Sequence, residues 1–201
     1  QMCIRDSDRV LRFHVNKGFT TKQWHSAVQM LRDNNLRVKT YLLFKPPFMS
    51  EGDALVHTTS WLTKVAPYSD EVSVNPMNIQ KNTIVDRLFR NKEYRPPWLW
   101  SLVEMILRSH EHLGDESCRI IVHPTAGGKI RGAHNCGQCD SEVVAAIERY
   151  SVSGDTEEFS HLECSCKSHW RAEIENDNSF PLPLGFGTFR RGNPTDIVRA
   201  P

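Results

Sequence analysis

The chain has almost no charge excess: 25 Lys and Arg stand against 24 Asp and Glu, a formal net charge of +1. No global field announces nucleic acid, so any basic face has to be local. Apolar runs fall far short of the roughly 20 residues that cross a bilayer. No secretory leader is visible, and the expected compartment is the cytoplasm with no membrane partner. The sequence also lacks internal repeats and low-complexity tracts, which argues against a solenoid or a wholly disordered chain. Its 201 residues can bury one good core with a small appendage.

Cysteine is scarce but clustered. Of six cysteines, two form Cys136-x-x-Cys139 and two form Cys164-x-Cys166, with residues 140 to 163 between the pairs. Such tight spacing in a chain of this size reads as metal or redox chemistry rather than a secreted disulfide framework. Two thiolate pairs carried on turns can close a tetrahedral zinc site. A redox dithiol, a second iron–sulfur site and plain buried cysteines are the other readings. His134 and His161 are spare ligand candidates, and Cys118, inside a strand-like run, reads as core.

The first pair sits in the stretch that organises the chain, residues 123–140, which follows the apolar run Ile120-Ile121-Val122 and precedes Val143-Val144-Ala145-Ala146-Ile147. Gly127, Gly128, Gly132 and Gly137 permit turns and close approaches closed to other residues. Lys129, Arg131, His123 and His134 crowd the same loop. A loop this rich in chemistry is usually held on a scaffold for use.

Upstream, strands and helices alternate. Thr20 and Gln23 predict a capping box ahead of Trp24, Ala27, Val28 and Leu31, with Asn34-Asn35 as the stop. Val38 to Phe44 reads as a strand covered on both faces. Ser50 with Asp53 opens the next helix, which carries Leu55, Thr59, Leu62 and Val65, and Val72 to Val74 is the following strand. Thr83 and Asp86 open a short helix, and Pro96-Pro97 a longer one with Leu99, Leu102, Val103, Ile106 and Leu107. Trp98 and Trp100 within it read as core or as surfaces for stacking on a base. Cys118 to Val122 is the last strand, and one helix near Ser141 to Ser151 plus a second short element fill the space between the cysteine pairs. This order implies a parallel sheet with crossover helices, in which ligands sit beyond the carboxyl ends of the strands. Lys45 and Asn75 fall at two such ends.

Gln1 to Ser7, with Cys3, has no alternation and no cap, and resembles translated sequencing-adapter sequence. It is set aside as an artefact, a genuine frayed terminus being the other reading. On the artefact reading the chain is a truncated piece of a longer protein. Phe180 to Pro201 reads as an extended tail, with Arg190-Arg191 as a solvated pair.

A resemblance joins these pieces. Val15-Asn16-Lys17-Gly18-Phe19, the run Lys39 to Phe48 and Val74-Asn75-Pro76 look like later βα units of a radical S-adenosylmethionine enzyme. Tyr94 to Ser101, Arg131 to Cys136 and Cys139-Asp140 narrow it to the radical S-adenosylmethionine proteins that work with archaeosine synthase in archaeal tRNA modification. The resemblance implies an α/β fold: the C-terminal part of a (β/α) barrel over residues 8–122, a cysteine-containing α+β extension over 123–179, and a tail over 180–201. It implies a lyase-type tRNA-modifying parent enzyme that cleaves a lysine adduct of deazaguanine with S-adenosylmethionine and a four-iron, four-sulfur cluster. Archaeosine synthase and tRNA would be its partners. Lys45 and Asn75 would receive the cofactor, with Asn16 and Lys17 on the same rim or in a crossover, and Lys129 and Arg131 would cradle tRNA phosphate. The cluster motif Cys-x-x-x-Cys-x-x-Cys is absent from these residues, so the piece should be inactive alone. A non-catalytic, zinc-containing tRNA-binding module is the alternative.

Overall fold

The computed structural model describes residues 2–3, 18–114 and 118–179. Asn16, Lys17, Arg190, Arg191 and the tail over 180–201 lie outside the described residues.

Four parallel strands form one sheet in sequence order: β1 (Met2–Cys3), β2 (Lys39–Phe44), β3 (Glu71–Pro76) and β4 (Arg119–Val122). The β1 contribution is a two-residue bridge, Met2 against Thr40 and Cys3 against Tyr41. Among the described residues six α-helices accompany the sheet: α1 (Thr21–Asp33), α2 (Glu51–Val65), α3 (Ile84–Arg90), α4 (Leu99–Leu113), α5 (Asp140–Ser153) and α6 (Cys166–Ser179). The result is a mixed α/β fold with parallel strands joined by crossover helices. Among the described residues the sheet is open, and a closed barrel is not seen.

Local chemistry explains most element boundaries. The Thr20 side chain accepts a bond from Gln23 N while the Gln23 side chain accepts one from Thr20 N at 2.8 Å, a complete capping box. Ser50 accepts from Asp53 N, and Thr83 from Asp86 N. The helix foreseen from Pro96 starts at Leu99 instead. Trp98, its N-cap, has no side-chain oxygen to offer; its own N–H is taken up by the buried Glu51 carboxylate of α2 at 2.9 Å.

The reading of β2 as a strand covered on both faces is corrected. Thr40, Leu42 and Phe44 are buried, while Lys39, Tyr41 and Leu43 are only half-buried. The register places Thr40, Leu42 and Phe44 beside Val72, Val74 and Pro76, and Val72 and Val74 beside Ile120 and Val122. These residues form the face on which the helices pack. On the other face Lys39 pairs with Glu71.

The extension after β4 also differs from expectation: among the described residues of 123–179 it carries helices and no strand. Val143, Ala146, Ile147 and Tyr150 make a buried helical stripe on α5. One apolar cluster runs from Trp24 and Leu42 through Leu62 and Leu102 to Ile147 and Trp170, so the extension shares the core of the sheet layer. Trp170 donates to Ser101 Oγ at 2.8 Å, and Gly52 N donates to Asp177 Oδ2 at 3.0 Å, which ties α6 to α4 and α2. Trp98 and Trp100 belong to this core; neither is open to a stacking base. Cys118 is half-buried against the same cluster.

Candidate metal centre

The loop between β4 and α5 is built on close backbone contacts. Its start is clamped by Ser151 of α5, which accepts from Val122 N at 3.0 Å and donates to Val122 O at 2.9 Å. Gly128 has φ +72° and donates to Ala133 O. A Cβ at Gly132 would lie 2.2 Å from Ala126 O, so only glycine fits there. The buried Asp140 carboxylate then gathers the end of the loop, accepting from Asn135 N at 2.9 Å and Gly137 N at 2.7 Å.

That fold-back places Cys136 and Cys139 at the start of α5, opposite Cys164 and Cys166 at the start of α6. The sulfurs of Cys136 and Cys139 are 3.9 Å apart, those of Cys136 and Cys164 3.7 Å, and those of Cys139 and Cys166 3.7 Å. All four lie within 4.8 Å of one another. A tetrahedral ion with bonds of about 2.3 Å needs sulfurs about 3.8 Å apart, so the four thiols fit a single ion such as zinc. Several irons would hold their terminal thiolates farther apart. The redox-dithiol arrangement, with the second pair elsewhere, is not what the chain adopts.

Neighbours orient the sulfurs. Trp100 Nε1 donates to Cys166 Sγ at 3.3 Å and Asn135 Nδ2 to Cys139 Sγ at 3.4 Å, while Asn135 Oδ1 accepts from Trp100 N. Such outer contacts set ligand direction and basicity. Backbone N–H groups of Gln138 and Cys139 lower the Cys136 thiol from 9.0 to about 7. Burial pushes the Cys139 and Cys166 thiols up. Backbone donors thus favour the thiolate at Cys136, while burial disfavours it at Cys139 and Cys166. His134 and His161 stay outside the cluster: His134 Nδ1 meets Gly132 O at 2.8 Å, and His161 faces Glu142.

The remaining candidates are dispersed. Lys45 ends β2 with φ +51°, and its buried ammonium lies 2.6 Å from Glu51 Oε2. Tyr94 Oη donates to Lys45 O at 2.7 Å. Asn75 is half-buried near the end of β3, on the face carrying Tyr41 and Leu43. The Lys45 side chain runs to Glu51 of α2. Lys129 is exposed. Arg131 is half-buried and held, with Nη2 2.6 Å from Asp86 Oδ1 and Nε donating to Ile79 O. Sequence reading missed Asp86, Glu51, Asn135 and Asp140 as organising groups. Each reaches across tens of residues or into a tight turn, and only the Thr83–Asp86 spacing hinted at one of them.

Fold and site together define an α/β protein in which a four-thiol group with the spacing for a single ion is joined to a parallel sheet. No protein-family model matches the chain. It is similar to archaeosine synthase subunit beta of Methanosarcina acetivorans, 36% identical over 179 residues, which cover 89% of this chain and 51% of the relative. The subunit of the same name from Thermococcus kodakarensis is 36% identical over 171 residues, covering 85% and 52%. An uncharacterized protein of Methanocaldococcus jannaschii is 33% identical over 176 residues, covering 85% and 47%. The chain thus spans about half the length of the curated relatives it matches.

These names carry a correction. The resemblance implied a radical S-adenosylmethionine lyase-type parent; the relatives are named archaeosine synthase subunit beta, a name that carries no such activity, so that assignment is withdrawn. Within this chain, the clustered thiols are spaced for one ion.

Proposed function

We propose that the chain acts in archaeosine formation as a beta-type subunit component of archaeosine synthase, contributing structure and tRNA contacts beside a catalytic partner. Its four cysteines hold one structural zinc, and the glycine loop faces tRNA. The observation that carries this reading is the 36% identity to two archaeal subunits of that name across 85–89% of the chain. The thiol geometry supports zinc, because four protein ligands leave no open position for substrate. Strands that follow one another in sequence order support a further reading of the sheet as a segment of a (β/α) barrel. Lys45 serves the fold in this reading, since its charge is paired inside.

A chimera tests the proposal. The matching half of the Methanosarcina acetivorans subunit is replaced by this chain in a strain lacking that subunit, and archaeosine in total tRNA is measured. Restored archaeosine, lost again with Cys164→Ser, is the expected result. A stable, zinc-loaded chimera that restores none would overturn it.

A further inference from the structure

Resting on the tRNA-facing reading above, we infer that the α3 segment is the main phosphate-binding surface, with the glycine loop locked to it as a support. Residues 80–95 hold five cations and two carboxylates, a local +3 in a chain whose total is +1. Lys81, Arg87, Arg90 and Lys92 are exposed. Among the described residues, Lys81, Arg87 and Lys92 have no ion-pair partner; Arg90 leans on Asp86 with its own side chain still 64% exposed. Arg87 and Arg90 are three apart on one helix, which makes them surface neighbours. Lys92 holds φ +61° just past the helix, where glycine would be relaxed, so a cation occupies a position its backbone does not favour.

The glycine loop enters through Arg131. Its guanidinium bonds the buried Asp86 carboxylate and Ile79 O, lies 5.6 Å from the centre of the Phe89 ring, and Ile79 N donates back to Arg131 O at 2.8 Å. Arg131 is therefore a strut between loop and helix, and the exposed Lys129 two residues away extends the basic face. A polyphosphate strand is the occupant that matches this charge, because binding it releases counterions in proportion to the cations engaged.

The test measures affinity of the 201-residue chain for a tRNA transcript across a salt titration. Wild type is compared with the triple variant Lys81→Gln, Arg87→Gln, Lys92→Gly; the last change removes charge while relaxing the turn. The slope of log affinity against log salt should flatten by about two to three units in the variant, with zinc content and circular dichroism unchanged. An unchanged slope, where wild type binds, overturns the surface but leaves the subunit reading standing. Absence of salt-dependent binding in wild type overturns both the surface and the tRNA-facing reading. Loss of copurification with the catalytic archaeosine synthase subunit, with an intact tRNA slope, would make the patch a protein-docking face and overturn the RNA assignment.

Discussion

At the scale of single residues, one buried carboxylate joins a turn, a helix and the glycine loop. Asp86 accepts from Asn82 N at 3.0 Å, from Arg90 at 2.7 Å and from Arg131 at 2.6 Å. Led by the Arg131 bond, these contacts depress its carboxyl from 3.8 to about 2. A depressed folded-state value means the unfolded chain binds more protons between these limits, so the stabilisation is present above about pH 4 and fades as pH falls through about 2. Asp86→Asn should therefore lower the unfolding midpoint at neutral pH, and its deficit against wild type should shrink between pH 4 and pH 2. A deficit independent of pH would show that the charge of Asp86 is not what docks the loop. Sequence could place Asp86 in a capping turn but could not reveal its partner 45 residues away, because that contact depends on how the glycine loop returns to α3.

At the scale of elements, local rules were legible and cross-element ones were not. The capping turns at Thr20, Ser50 and Thr83 were readable because donor and acceptor are three residues apart. The start of α4 was misread because its cap comes from Glu51, 47 residues earlier. The exposed-side alternation of β2 was hidden because Tyr41 and Leu43 are apolar enough to pass for core. The same Glu51 pairs with the buried Lys45, so β2, α2 and α4 meet at one ion pair. Removing one partner leaves a buried, uncompensated charge, which typically costs about 3–5 kcal/mol. Glu51→Leu should lose stability on that order in urea unfolding, and adding Lys45→Met should recover much of it. A Glu51→Leu protein as stable as wild type would mean that the pair does not join these elements.

At the scale of the whole molecule, the sheet layer and the helical extension share one core, and the cysteine centre lies where α5 and α6 both begin. The cysteine grouping was readable from spacing; its convergence required Asp140, Asn135 and Trp100, whose roles depend on tertiary contacts. Four thiolates around one ion would supply much of the folding free energy of this region, since the site has no counterpart in the unfolded chain. X-ray absorption at the zinc edge, together with metal content of the purified 201-residue chain, tests this most directly. The expected result is about one zinc per chain with four sulfur neighbours at about 2.3 Å, lost with Cys164→Ser. A folded chain without metal, in which Cys136, Cys139, Cys164 and Cys166 all react with a thiol reagent under native conditions, would contradict it.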